Sequence, residues 1–107
     1  MSTPEFVVVL VTASSAEEGA RLGRALVEER LAACANVIGP IRSIYRWQGK
    51  IEDAAEVAAI FKTSAGAADR LITRISALHS HDVPCVVTWP IDKVLVAYAE
   101  WVEGSTQ

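Results

Sequence analysis

The stretch SIYRWQGKIE, residues 43–52, decides how this chain folds. Its apolar and polar residues alternate, so Ile44 and Arg46 lie on one face of an extended strand and Tyr45 and Trp47 lie on the other. Gly49 provides the backbone freedom that a hairpin turn needs. If both arms are extended, the hairpin is longer than the usual strand of about 5–6 residues. A small core cannot cover such a hairpin along its whole length, so we expect something outside the monomer to cover the rest.

The composition is that of a single globular domain covering residues 1–107. The chain is 51% hydrophobic and 21% charged, and it is long enough to bury one core. Thirteen acidic and ten basic residues give a formal net charge of -3, and no Lys/Arg cluster offsets it, which argues against nucleic acid as a partner. No apolar stretch reaches the ~18–20 residues of a membrane span, and the N-terminus lacks the basic start of a signal peptide. Two cysteines in such a chain are expected to be free thiols, which predicts a cytoplasmic location.

Hydrophobic periodicity predicts the order β-α-β-β-α-β followed by a short third helix. The first helix follows a capping box at Ser14 or Ser15 and is expected to end near residues 31–32, while the tail from Gly104 is expected to fray. Two split βαβ units of this kind form an α+β ferredoxin-like sandwich, with two helices on one face of a four-stranded antiparallel sheet.

The second strand contains Gly39-Pro40. Proline donates no hydrogen bond to a neighbouring strand, so this arm of the hairpin belongs at a sheet edge or at a bulge. An exposed edge and an open sheet face both invite pairing with another chain. A closed homo-oligomer built through the long hairpin would cover both.

Several segments, taken in their order and spacing, resemble one known family. They are VLVTA at 9–13, LVEERLAACAN at 26–36, SIYRWQGKI at 43–51, EVAAIFKT at 56–63, Val83-Pro84, Pro90-Ile91 and the pair Tyr98 and Trp101. Over essentially its whole length the chain is similar to the CutA family, the divalent-cation tolerance proteins. The resemblance implies a tight homotrimer similar in architecture to the PII signalling proteins, and an association with tolerance to copper and other divalent metals.

The chain departs from the family pattern at two places. After the second helix the family usually reads His-Pro-Tyr-Glu-Val-Pro-Glu, whereas this chain reads HSHDVPC at residues 79–85. Some members carry a metal-binding cysteine near the end of the first strand, where this chain has Val11. Copper binding through that cysteine is therefore not expected here.

His79, His81 and Cys85 are the candidate metal ligands. Their spacing gives them equal parity, so in an extended segment all three side chains would face one way. Two imidazoles and a thiolate suit copper or zinc, with affinity favouring copper. The alternative is that His79 caps the second helix, His81 is a solvated loop residue and Cys85 is a small buried hydrophobe.

The candidate cleft or interface residues are Tyr45, Trp47, Lys50, Glu56 and Lys62. The two aromatic residues and Lys50 could line a small-molecule or peptide pocket, but tyrosine and tryptophan are also enriched in subunit interfaces, which we favour. Glu56 and Lys62 share parity on the third strand, so they suit a cross-subunit ion pair or a ligand contact equally well. Two further tryptophans, Trp89 and Trp101, are expected in the core or an interface.

No catalytic motif stands out, so the chain is not expected to be an enzyme. The predicted function is that of a homotrimeric protein of cation tolerance that binds copper or a similar divalent cation weakly. The expected partners are the chain itself and the metal ion, without nucleic acid or membrane. The alternatives are a PII-like module that binds a small anionic metabolite or a peptide in clefts between subunits, and an interaction scaffold.

Overall fold

The computed structural model describes residues 3–107. In chain order the elements are β1 (Phe6–Ala13), α1 (Ala16–Glu28), β2 (Cys34–Trp47), β3 (Lys50–Ser64), α2 (Ala68–Leu78), β4 (Val86–Pro90) and α3 (Val96–Ser105). The strands form one antiparallel sheet in the order β2-β3-β1-β4. This is the strand order of two split βαβ units, and it confirms the predicted α+β ferredoxin-like fold.

The helices α1 and α2 cover one face of the sheet. Val9 and Val11 of β1 and Ala59 and Phe61 of β3 are fully buried, and they form the main core with Leu22, Leu26, Leu71 and Ile75 of the two helices. On the opposite face α3 packs against one end of the sheet, around Phe6. The remainder of that face, which we call the open face, carries half-exposed apolar side chains such as those of Val87 and Trp89.

The hairpin formed by β2 and β3 is as long as predicted. β2 has 14 residues and β3 has 15, well above the usual ~5–6. Gln48 and Gly49 both have positive φ, at 51° and 81°, which is the backbone of a two-residue hairpin turn between the paired residues Trp47 and Lys50. The hairpin elongates the molecule to 51 Å, against 25 and 22 Å in the other directions.

The Gly39-Pro40 step lies on the edge strand β2 and coincides with a bulge, which confirms both parts of that prediction. The register between β2 and β3 shifts between Ile38 and Ile41. A Cβ atom at Gly39 would stand 2.7 Å from Val57 Cγ1, so the close approach of the two strands requires glycine here.

The predicted end of the first helix is wrong by about one turn. Helix α1 ends at Glu28, because Arg30 adopts a left-handed conformation with φ 61°. The Leu31 N–H donates to the Leu26 carbonyl at 3.0 Å and the Arg30 N–H donates to the Val27 carbonyl at 3.1 Å. This is a Schellman termination, with arginine at the position that glycine usually takes.

One expectation for the C-terminal part is also corrected, and another is narrowed to its interface alternative. The tail does not fray at Gly104, since α3 continues to Ser105 and Thr106 is buried with its Oγ1 2.9 Å from Ser64 Oγ. Trp89 and Trp101 are 50% and 48% exposed, so neither belongs to the core of the monomer. Among the described residues, no helix has the length and apolar character needed to cross a membrane.

Candidate functional site

The five candidate cleft residues all lie on the open face. On strand β3 the candidates Lys50, Glu56 and Lys62 are all even-numbered. On strand β2, Trp47 is paired with Lys50 and Tyr45 with Glu52, which is also even-numbered. Because β3 alternates regularly and its odd-numbered core residues face the helices, its even-numbered residues and their partners face the other way. The alternation read from the sequence is therefore confirmed.

A groove of about 770 Å³ lies on this face, between the hairpin and the connector that follows α2. It brings together residues from both predicted clusters. Its lining consists of Thr12, Ser43, Ile44, Tyr45, Trp47, Glu56, Ser80, His81, Asp82, Val83, Pro84 and Cys85. Of the predicted site residues, His79, Lys50 and Lys62 do not line it; the Lys62 ammonium instead donates to the Asn36 side-chain oxygen.

Glu56, one of the predicted cleft residues, is a largely buried part of this groove. Glu56 is only 7% exposed. Among the described residues, none donates a hydrogen bond to the Glu56 carboxylate or forms an ion pair with it. In the described part of the chain, every fully enclosed side-chain nitrogen or oxygen atom has a hydrogen-bond partner. The Glu56 oxygens have none, so they must retain contact with solvent. Because Glu56 lines the groove, we place that contact in the groove. A carboxylate group whose oxygens are open only toward a groove, and which no protein group pairs with, favours a cationic ligand in that groove.

His79 does not join His81 and Cys85. It is the C-cap residue of α2, and its ring is enclosed, with Nε2 2.8 Å from the Thr12 carbonyl oxygen. A carbonyl only accepts, so Nε2 carries the proton, and Nδ1 accepts the His81 N–H at 3.0 Å. With both nitrogens engaged, His79 has no lone pair free for a metal.

The predicted convergence assumed an extended backbone from His79 to Cys85. The structure has bends there instead, and β4 begins only at Val86, so the parity argument does not apply. The helix-cap alternative describes His79 and the solvated-loop alternative describes His81, but Cys85 is an exposed free thiol and not a buried hydrophobe. In residues 3–107 no three His, Cys, Asp or Glu side chains stand close enough to hold one metal ion.

Glu18 holds the start of the connector in place. Its carboxylate accepts hydrogen bonds from the Ser14 N–H, the Ser14 hydroxyl and the Ser80 N–H, each at 2.9 Å. Burial raises the pKa of Glu18, but these hydrogen bonds outweigh it and lower the pKa to about 2. Of the two capping boxes that the sequence allowed, the structure has Ser15 as the N-cap, with its Oγ accepting the Glu18 N–H, while the Glu18 carboxylate accepts the N–H of Ser14. The bond to Ser80 was not visible in the sequence, because it joins residues 62 positions apart.

These features define a class: a ferredoxin-like protein with a protruding hairpin and an acidic, aromatic groove alongside that hairpin. The family model described as CutA1 divalent ion tolerance protein matches residues 7–105. The chain therefore belongs to the CutA1 family, as the resemblance indicated.

Relatives and solved structures agree with this assignment. The chain is 41% identical over 99 residues to the divalent-cation tolerance protein CutA of Thermus thermophilus, covering 92% of this chain and 96% of that one. It is 39% identical over 106 residues to the chloroplastic protein CutA 1 of rice, covering 99% of this chain but only 60% of that protein. The crystal structure of CutA1 from Oryza sativa superposes with a TM-score of 0.94 at 39% identity, covering 99% and 98% of the two chains. The Thermus thermophilus structure gives 0.91 at 40% identity, covering 95% and 99%.

The family description names tolerance to divalent ions and no reaction.

Proposed function

We propose that this chain is a homotrimeric protein of divalent-cation tolerance that binds copper in the groove on its open face. The observation that carries the proposal is the buried, unpartnered carboxylate of Glu56 in the same groove as the His81 imidazole and the Cys85 thiol. Glu56 takes the place that His79 had in the sequence prediction. His79 instead serves as a support, because it accepts the backbone N–H of His81.

The ligand types favour copper among the divalent ions. An imidazole and a thiolate are soft or intermediate donors, and affinity along the first-row series peaks at Cu²⁺. Three protein ligands do not converge in the described monomer, so water or a neighbouring subunit has to complete the coordination. This arrangement fits the weak binding that the sequence predicted.

The open face supports the proposed trimer. Large apolar side chains on this face and at the adjoining α3 segment are between 42% and 74% exposed, namely Trp47, Val87, Trp89, Leu95 and Trp101, and the other side of the hairpin arm adds the exposed Ile44 and Ile51. Exposed apolar area of this extent, beside the unpaired edges of β2 and β4, is typical of a protein that associates. A heterologous contact between subunits produces a closed ring when the rotation from one subunit to the next adds up to a full turn. The family resemblance implies a ring of three subunits.

The PII-like alternative finds less support. Within the described residues no Lys or Arg side chain lines the groove, while Glu56 and Asp82 do. An anionic metabolite would therefore meet carboxylates and no counter-charge. The cytoplasmic location stays a proposal that rests on composition, and the two free thiols, Cys34 and Cys85, fit a reducing compartment.

The test is calorimetric titration of the full chain with Cu(II), Ni(II) and Zn(II). Cu(II) should bind most tightly, and Glu56→Gln, His81→Ala and Cys85→Ser should each weaken binding by about tenfold or more, since one lost ligand commonly costs ~1.4 kcal/mol or more. Glu52→Gln is the matched control, because Glu52 lies on the same face of the same strand but does not line the groove. Copper affinity unchanged in the Glu56→Gln/Cys85→Ser double variant would refute the proposed site.

A further inference from the structure

Glu56 loses its contact with solvent when another subunit covers the open face. In the single chain its oxygens keep that contact through the groove and have no partner among the described residues. An ionised carboxylate enclosed in an interface is costly unless a cation or a hydrogen-bond donor pairs with it. We infer that Lys50 of a neighbouring subunit enters the groove and forms an ion pair with Glu56. The inference rests on the proposed trimer and is independent of the copper site.

The cation has to come from another subunit. Within the described residues no Lys or Arg side chain lines the groove. The chain's own Lys50 is six residues from Glu56 along β3, about 20 Å at the usual rise of a strand, so its ammonium group cannot reach that carboxylate. Lys62 is six residues away in the other direction, and its ammonium group donates to Asn36. The single chain therefore supplies only the negative half of the pair.

Few basic side chains are free to supply the positive half. Five of the ten already have a partner within the described structure, namely Arg21, Arg42, Lys62, Arg70 and Arg74. Arg24 and Arg30 lie on or just after α1, which covers the other face of the sheet. Arg46 is paired with an odd-numbered residue of β3, so it lies on the side of the arm turned away from the open face. Lys50 and Lys93 remain.

Lys50 is better placed than Lys93 to enter the groove of another subunit. Lys50 is exposed and is paired with Trp47 on the open side of the arm, so an interface that buries Trp47 also takes in Lys50. Lys93 lies between β4 and α3, at the end of the sheet away from the hairpin tip, and next to Asp92 in the chain. In a closed ring of heterologous contacts each subunit gives one arm and receives one, so every groove is filled.

The ion pair is compatible with a metal-binding role of the same carboxylate. A carboxylate has two oxygens, with room for about four hydrogen bonds or ligand contacts. One Glu56 oxygen can accept the Lys50 ammonium group while the other remains available to a metal ion in the groove. The two roles are separated experimentally by measuring assembly with the metal removed.

The experiment is sedimentation equilibrium of the full chain in chelator, over a range of concentrations. Lys50→Glu and Glu56→Lys should each raise the concentration at which the trimer dissociates by about tenfold or more, because each brings like charges together in the interface. The double variant Lys50→Glu/Glu56→Lys has opposite charges again and should recover most of the wild-type assembly. Lys93→Glu, the matched control, makes the same change of charge and should leave assembly close to that of the wild type.

Milder substitutions keep the test decisive where a reversed charge prevents folding, which circular dichroism would reveal. Lys50→Met and Glu56→Gln should each weaken assembly. Their effects should be clearly less than additive in the double variant, because both remove the same ion pair. Fully additive effects in this pair of substitutions, or a charge-swapped double variant that folds and assembles no better than the single variants, would overturn the inference.

The possible failures are distinguishable. A wild-type chain that stays monomeric refutes the proposed trimer and the ion pair together. A trimer that Lys50→Glu leaves intact, or that Lys93→Glu disrupts equally, refutes the ion pair alone. If the charge-swap pattern holds in chelator and copper does not bind in a separate titration, the proposed copper site fails alone.

Discussion

The two halves of strand β3 lie in very different surroundings. Residues 57–64 are mostly buried, because α1 and α2 cover one side of them, whereas residues 50–55 are exposed or half-exposed on the hairpin arm. Both halves carry apolar side chains, including Phe61 at 0% and Ile51 at 61% exposure. The comparison shows that the monomer accounts for the burial of one half of the strand only. The other half makes sense if its apolar residues are buried by other subunits.

The largest expected effect is on the stability of the fold, and it comes from the buried half of β3, residues 57–64. Phe61→Ala should lower the free energy of unfolding by about 3–5 kcal/mol, because it removes a fully enclosed ring from the core. Chemical denaturation followed by circular dichroism measures this, and Phe61→Leu, which fills much of the space, should cost clearly less. A loss under about 1 kcal/mol for Phe61→Ala would show that the core does not depend on this half of the strand.

The next largest effect is on the stability of the trimer, and it comes from the exposed hairpin arm. Wild-type protein at micromolar concentration should sediment as about three times the 11.5 kDa monomer. Trp47→Ala should weaken the trimer by ~2 kcal/mol or more, as truncation of a central aromatic anchor commonly does, and Trp47→Phe should weaken it less. A monodisperse wild-type monomer would remove the proposed reason for the exposed arm.

A smaller effect concerns Glu18, which belongs to the covered part and anchors the connector at Ser80. Its pKa of about 2 lies below the ordinary 4.5, so its contribution to stability is present above pH 4.5 and is lost as the pH falls toward 2. Glu18→Gln should therefore cost on the order of 2 kcal/mol near pH 7 and progressively less below pH 4.5. Denaturation at several pH values tests this against Glu17→Gln, an exposed neighbour. Identical pH dependence in the two variants would contradict the assigned role, and neither variant should change the trimer.

Sequence patterns predicted the fold closely where local chemistry determines it. Alternation and a glycine identified the hairpin and its turn, and Gly39-Pro40 identified the edge and the bulge. The helix end at Arg30 was missed because an arginine occupies the left-handed position, and Thr106 was missed because its partner, Ser64, is distant in the chain.

The candidate site was predicted only in part. Tyr45, Trp47, Glu56, His81 and Cys85 do line one groove. His79 was misplaced, because equal parity brings side chains together only in an extended segment and the connector bends. The lack of a partner for Glu56 is a property of packing that no residue pattern in one sequence reveals.

The most direct test of the copper site is anomalous scattering from a crystal soaked with copper and with no other added ligand. We expect a copper peak in the groove on the open face, within coordination distance of the Glu56 carboxylate and the Cys85 thiolate, with the His81 imidazole or a neighbouring subunit completing the site. A peak only elsewhere, for example at the N-terminal amine, or the absence of any peak at saturating copper, would contradict the account.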